Sequence, residues 1–184
     1  MTFNDLLKKR RSHRQLDAQV PLADEQIVAT IKAACDLAPV AYGQQTPRIF
    51  VLLNDENKGF WEQTATLNDE KKELYQSFAQ AKGTVLFFED RNHTYSLTEK
   101  FGIDESLARR YSDENHANIS LATWLALEDV DIQATLQHPS QLAKDSIETP
   151  DHWTFKAALV FGRGLDSVNA KDSLYDKKGF TVKG

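Results

Sequence analysis

A nearly continuous apolar run at residues 84–88 constrains the fold of this chain of 184 residues most strongly. The run reads Thr-Val-Leu-Phe-Phe, contains no charge and follows Gly83. Such a run is typical of a strand that is covered on both faces of a sheet. It therefore predicts a central sheet with other elements packed against its two sides.

The rest of the chain alternates between short apolar runs and helical patterns. Runs at residues 48–53, 132–137 and 153–161 predict three more strands, and a Gly-Arg-Gly segment is expected to end the last one. Helical spacing predicts an opening helix, helices at 23–38, 114–129 and 141–147, one or two helices within 56–82, and short helices within 89–113. Because helices predominate, this mixture predicts an α+β fold with a sheet of about four strands. The polar tail from residue 165 onward lacks a clear period, so it either wraps a partner or frays.

Composition narrows the class of protein. The length suits one domain over residues 1–184, and the 41% hydrophobic and 27% charged residues are ordinary for a globular protein. A formal net charge of -5 opposes general nucleic-acid binding, which requires a basic surface. No apolar run approaches the about 20 residues that span a bilayer, and the charged start does not resemble a signal peptide. We therefore expect a cytoplasmic protein without a membrane or nucleic-acid partner.

A cationic segment near the start is the strongest candidate for a binding site. Residues 8–14 read Lys-Lys-Arg-Arg-Ser-His-Arg, and Phe3, Leu6 and Leu7 precede them at helical spacing. An amphipathic helix docked on a core would hold these cations in place, and guanidinium groups match phosphate oxygens. The alternative is that the cations only complement the negative end of a helix dipole. The segment alone leaves both interpretations open.

Several common sites are excluded by their missing motifs. The sequence contains no phosphate-binding Walker loop, dinucleotide fingerprint, H-E-x-x-H or C-x-x-C motif, and its five histidines lack metal-ligand spacing, so no metal site is expected.

The single cysteine, Cys35, is expected to be a buried structural thiol. Glu89 and Asp90 follow a predicted strand and are expected to form its solvated end, and the tryptophans are expected to anchor the core or an interface.

Four blocks, taken together, resemble a known family. They are residues 10–12 (Arg-Arg-Ser), 38–45 (Ala-Pro-Val-Ala-Tyr-Gly-Gln-Gln), 83–90 (Gly-Thr-Val-Leu-Phe-Phe-Glu-Asp) and 136–138 (Leu-Gln-His). Their order and spacing resemble those of the nitroreductase family of FMN-dependent oxidoreductases over nearly the whole chain. The last two blocks point to the short branch related to the fatty-acid-repression-mutant proteins.

The resemblance implies an α+β, nitroreductase-like fold with a central, mainly antiparallel sheet flanked by helices. It also implies an intertwined homodimer that binds two FMN molecules at the subunit interface. The implied activity passes hydride from NADH or NADPH through flavin N5 to a nitroaromatic or quinone-type acceptor by a ping-pong mechanism. The flavin carries this chemistry, so no catalytic side chain is expected.

The basic segment and the following loop carry most of the implied cofactor contacts. Arg10 and Ser12 match family positions that contact the FMN phosphate and ribityl chain, and Arg11 lies between them. Arg14 matches a cation near the flavin pyrimidine edge, where a positive charge would stabilise the negative charge that develops on reduction. Gln45 matches a loop residue expected against the flavin of the other subunit, although it is equally compatible with an ordinary loop hydrogen bond.

The remaining implied contacts come from the second half of the chain. Leu136, Gln137 and His138 fall where the family places backbone near the reactive N5 edge, although His138 is equally compatible with a simple turn residue. Lys171 matches a late basic residue that completes the phosphate grip.

Two departures from the family pattern leave the substrate and cofactor preference open, and the first of them also keeps a second function open. Family members often have Ser at the position of Val40 and Asn-Ser at residues 43–44, where this chain has Gly-Gln. The segment Asp129-Val130-Asp131 also replaces a customary Gly-rich turn. The alternative is a flavin-binding protein with a regulatory or sequestering role and little turnover.

Overall fold

The computed structural model describes residues 2–43, 46–171 and 179–184. Within these ranges the α-helices are α1 (Phe3–Lys9), α2 (Asp24–Leu37), α3 (Asn54–Ala65), α4 (Lys72–Phe78), α5 (Arg91–Phe101) and α6 (Glu105–Asp129). The strands are β1 (Leu16–Asp17), β2 (Pro47–Leu53), β3 (Gly83–Asp90), β4 (Gln133–Gln137) and β5 (Trp153–Gly164). Short 3₁₀ turns cover Ala41–Gly43, Asp69–Lys71 and Gln141–Ser146.

The sheet is antiparallel and is centred on β3 and β5. Strand β3 pairs with β2 on one side and with β5 on the other, and β4 and β1 both pair with β5. All eight residues of β3 are buried, as the apolar run predicts. The predicted α+β fold with a mainly antiparallel central sheet is confirmed.

Helices cover both faces of this sheet, so each face has its own core. Neighbouring residues of β3 alternate between the two: Phe88 packs with Trp61 and Phe78 of α3 and α4, whereas Phe87 packs with the helices α2 and α6. Such alternation follows from the two-residue period of a strand. Among the described residues, no helix combines the length and apolar character needed to cross a membrane.

The end of β5 corrects two expectations about the sheet. Residues 162–164 were expected to end the strand, yet they continue it, and the short β1 beside them gives the described part of the chain five strands, one more than the approximate number expected. The glycines explain this, because a Cβ at Gly162 would lie 2.3 Å from the carbonyl oxygen of Asp17, and one at Gly164 would lie 2.5 Å from Nδ1 of His13. Here glycine permits close approach of neighbouring chains instead of breaking the strand.

Helix α6 is longer than its apolar pattern predicts, because it begins at Glu105 instead of near residue 114. Asp104 caps it by accepting a hydrogen bond of 3.0 Å from the main-chain N–H of Leu107. The preceding helix, α5, is a single helix that ends where Gly102 adopts a φ of 64°. These capping residues set the true boundaries of the two helices.

Candidate functional site

The structure divides the cations of the basic segment between internal contacts and an open cavity. Lys9 forms ion pairs with Asp131 and with Glu128, the latter with 3.7 Å between Nζ and Oε1. The Nε of Arg11 donates a hydrogen bond of 2.9 Å to the carbonyl oxygen of Asn169. These two cations therefore fix the end of α6 and the start of the tail.

Arg10 instead borders a cavity of about 760 Å³, here called the basic cavity. Lys8, Arg10 and Lys171 supply three cations to its lining, and Leu121 and Trp124 supply apolar surface. The Arg10 guanidinium lies 4.4 Å from the centroid of the Trp124 ring, a cation–π contact that limits its movement. Burial lowers the pKa of Arg10, the neighbouring Arg11 lowers it further and Glu128 opposes both, but the ordinary value is so high that the group keeps its charge.

A second cavity, here called the central cavity, adjoins the basic cavity and has a volume of about 500 Å³. Leu121 and Trp124 line both, so the two cavities meet at these side chains. Phe87, Leu136 and Ala157 from the sheet supply further apolar wall. The result is a groove with a cationic end and a largely apolar middle.

A partly buried ion-pair network lies at the far end of the central cavity. Lys156 Nζ lies 3.1 Å from a carboxylate oxygen of Glu89 and 2.8 Å from one of Asp113. Burial alone would raise the pKa of Glu89, but the hydrogen bond from Thr94 and the charge of Lys156 together lower it. Glu89 is therefore ionised although it is buried. Glu89 and Asp90 are only 7% and 9% exposed, so the expectation that they form a solvated strand end is wrong.

Among the described residues that line the central cavity, His116 and Trp124 have buried ring nitrogens without a partner, and His116 has two of them. It is 8% exposed, and neither ring nitrogen has a hydrogen-bond partner within the described ranges. Burial, helped by the nearby charge of Lys156, lowers the pKa of His116 to about 4. The ring is consequently neutral at pH 7, with one N–H donor and one nitrogen acceptor.

Four of the predicted cofactor residues lie along the groove. Arg10 and Lys171 line the basic cavity, and Leu136 and His138 line the central cavity. The structure thus brings together residues more than 160 positions apart in the sequence. Gln45 lies outside the described residues.

The other predicted residues occupy different surroundings. The Arg11 side chain binds the tail, as described above, and exposed Ser12 bridges to Ala134 beside β4. Arg14 has an exposed side chain, and its carbonyl oxygen accepts a hydrogen bond of 3.4 Å from the hydroxyl of Ser77. Gln137 donates to the hydroxyl of Thr135 at 2.9 Å. Their contacts with FMN remain predictions.

Sequence reasoning missed the polar end of the groove. His116, Lys156 and Asp113 were not singled out, because no motif links them and they meet only through the packing of α6 on β5. The one available signal was the polar pair that follows the apolar run of β3.

Cys35 is half-buried instead of fully buried, and burial raises the pKa of its thiol, which keeps it protonated.

The groove suits a phosphorylated flavin. Lys8, Arg10 and Lys171 can neutralise a phosphate, and the apolar walls formed by Leu121 and Trp124 can contact a planar ring. The residues present therefore fit the cofactor that the sequence resemblance implies.

Comparison with known proteins agrees with this reading. The family model described as Nitroreductase family matches residues 7–158. Nitroreductase FRM2 of Saccharomyces cerevisiae is 24% identical over 167 residues, which cover 87% of this chain and 86% of FRM2. This match agrees with the predicted branch.

Solved structures show the same fold. Nitroreductase CinD from Lactococcus lactis, in complex with nicotinic acid, superposes with a TM-score of 0.90 and 28% identity, and each chain is covered completely. CinD is also known in complex with chloramphenicol and with 4-nitrophenol. A protein of Exiguobacterium sibiricum in complex with FMN shares the fold at a TM-score of 0.76 and 15% identity, with 98% of both chains covered.

The region matched by the family model contains most of the groove, from Arg10 at its cationic end to Lys156 at its polar end. The agreement of this match with the fold and with the four sequence blocks shows that the chain belongs to the nitroreductase family.

Proposed function

We propose that this protein is an FMN-dependent oxidoreductase that uses NADH or NADPH to reduce nitroaromatic or quinone-type acceptors. The observation that carries the proposal is the pair of adjoining cavities, of which one is lined by three cations and the other mainly by apolar side chains. The FMN complex of the related fold and the 4-nitrophenol complex of CinD support the choice of cofactor and of acceptor class.

The cationic end would hold the FMN phosphate. Arg10 would supply planar donors to the phosphate oxygens, and Lys8 and Lys171 would add charge from the same cavity. The Trp124 ring beneath the guanidinium restricts Arg10 before the phosphate arrives, so less conformational entropy is lost on binding.

The central cavity would hold the reacting rings. Bound FMN supplies the hydride chemistry, and the protein contributes binding, orientation and exclusion of water. The apolar side chains of Phe87, Leu121 and Leu136 would contact planar rings and keep water away from them. Because one cavity would receive the nicotinamide and then the acceptor, the kinetics should be ping-pong.

We further propose that the working form is a homodimer. Phe3 is 66% exposed, Leu7 38% and Leu121 46%, and the last two line the basic cavity. Apolar surface of this kind beside a binding groove is typical of an interface with a second subunit.

Anaerobic reduction tests the proposed function. Purified protein saturated with FMN should lose the visible absorbance of oxidised flavin when NADH or NADPH is added, and nitrobenzene or benzoquinone should restore it. Initial rates at several concentrations of both substrates should give parallel double-reciprocal lines. An oxidised spectrum that persists with both donors would instead support the flavin-binding role without turnover.

A further inference from the structure

The neutral imidazole at the far end of the central cavity has no assigned role. We propose that His116 is a specificity-determining residue that donates a hydrogen bond to an oxygen atom of the electron acceptor. This inference rests on the proposed function and deepens it, because it names the substituent that the protein recognises: a nitro or quinone carbonyl oxygen.

The first support is the unsatisfied state of the ring. Buried side-chain nitrogens in folded proteins nearly always have a hydrogen-bond partner, so a histidine with two free nitrogens calls for an explanation. Both nitrogens of His116 are buried, and neither has a partner in residues 2–43, 46–171 and 179–184. The side chain also lines the central cavity.

The second support is the electrostatics around the ring. Lys156 is the nearby cation, but Glu89 and Asp113 hold its ammonium group, so its charge is compensated. Burial has the largest effect on the pKa of His116 and lowers it, and the charge of Lys156 lowers it further. Glu89 and Asp113 raise this pKa, but by less, so the ring stays neutral at pH 7. A neutral ring suits a neutral oxygen acceptor better than a free anion, which would prefer the cationic end of the groove.

The third support is the position of His116 along the groove. His116 and Trp124 are eight positions apart on α6, which corresponds to about 12 Å along the helix axis. Arg10 stacks on Trp124, so the cationic end and His116 are separated by much of the groove. Apolar wall from Phe87, Leu121 and Leu136 lies in the same cavity as His116, which suits an aromatic ring that carries a polar oxygen.

A matched pair of ligands tests the hydrogen bond directly. Nitrobenzene and toluene are neutral and similar in size, and only nitrobenzene carries oxygen. Calorimetric titration of the FMN-loaded protein should show tighter binding of nitrobenzene. His116→Leu should weaken nitrobenzene binding about 3- to 10-fold and leave toluene binding unchanged. His116→Gln retains a donor and should keep most of the preference. His152→Gln, on a partly exposed histidine near Asp90, is the matched control.

Turnover separates this role from a structural one. The KM for nitrobenzene should rise in His116→Leu, while the flavin content stays unchanged. A nitrobenzene preference that survives in His116→Leu would overturn the proposal. Loss of flavin from this variant would overturn it too, since His116 would then support the cofactor.

A measurement on the unaltered protein covers the case in which His116→Leu does not fold. With nitrogen-15 histidine labelling, nitrobenzene should shift the ring resonances of His116 and toluene should not. If both ligands shift them equally, the proposed hydrogen bond does not form. If neither NADH nor NADPH reduces the flavin, the proposed function fails, yet the titrations still decide whether His116 recognises the oxygen.

Discussion

Arg10 is the residue whose removal should affect cofactor retention most directly. Its guanidinium borders the basic cavity, and a charge-assisted phosphate contact is worth about 1.5–3 kcal/mol. Arg10→Ala should therefore weaken FMN binding about 10- to 100-fold. Fluorescence titration with FMN and the flavin content after dialysis would measure the loss. Arg110→Ala is the control, because Arg110 is exposed on α6 and pairs with Glu114; equal FMN affinity in both variants would contradict the assignment.

His116 should also make stability depend on pH. Its pKa is about 4 in the folded chain, below its ordinary value of 6.5, so between these values the unfolded chain binds the extra proton. Stability from this group is therefore complete above pH 6.5 and is lost as the pH falls towards 4, by about 3 kcal/mol. Urea unfolding at pH 7, 5.5 and 4 should show a steeper loss for the natural protein than for His116→Gln. Equal pH dependence would argue against a buried neutral ring.

Site residues that match a family position could be predicted from the sequence, whereas side chains that meet only through the packing of distant elements could not. The family resemblance predicts Arg10, Lys171, Leu136 and His138, and the structure places them along one groove. His116 belongs to no motif. Its environment arises where α6 crosses the sheet, and a single sequence does not specify which side chains meet there.

At the scale of elements, the Asp104 cap determines where α6 begins, and α6 carries both Trp124 and His116. The Asp104 carboxylate accepts hydrogen bonds from the main-chain N–H of Leu107 at 3.0 Å and from the hydroxyl of Ser106 at 2.6 Å. Asp104→Ala should reduce the free energy of unfolding by about 1 kcal/mol, as loss of an N-cap typically does.

Thermal or urea unfolding would measure this change. Asp104→Asn preserves an oxygen acceptor at the cap and should lose only a fraction of the stability. If the alanine and asparagine variants prove equally stable, the side-chain cap does not contribute as the structure indicates.

Elements with a strong period were predictable, and those fixed by neighbouring chains were not. The apolar runs and stripes predict β3, β4 and α2 to within a few residues. Strand β1 has two residues and no pattern of its own, because it exists only through its pairing with Arg163 and Gly164. The glycines at the end of β5 were misjudged for the same reason, since their role depends on chains that approach them from elsewhere in the fold.

At the scale of the whole molecule, the predicted antiparallel sheet with helices on both faces is confirmed, but the described residues leave part of the opening helix uncovered. Helix α1 packs against α6, yet Phe3 is 66% exposed. The sequence predicted a helix docked on a core, and the described residues cover only part of its apolar surface. This difference is the physical reason to expect a second subunit.

A charge placed on the exposed face of α6 tests that expectation. Leu121 is 46% exposed and lines both cavities, so a carboxylate there would be costly to bury against another subunit. Leu121→Glu should therefore shift the protein from twice the chain mass of 20.8 kDa towards the monomer. Analytical ultracentrifugation would measure the shift, and FMN affinity should fall with it.

Leu67→Glu provides the comparison that gives this result its meaning. Leu67 is 39% exposed, similar to Leu121, but it follows α3 on the opposite face of the sheet, away from the groove. The same charge at this position should leave the mass and the FMN affinity unchanged, because no interface is proposed there. If the natural protein sediments as a monomer that still retains FMN, the groove is complete within one chain, and the exposed apolar residues around α1 need another explanation.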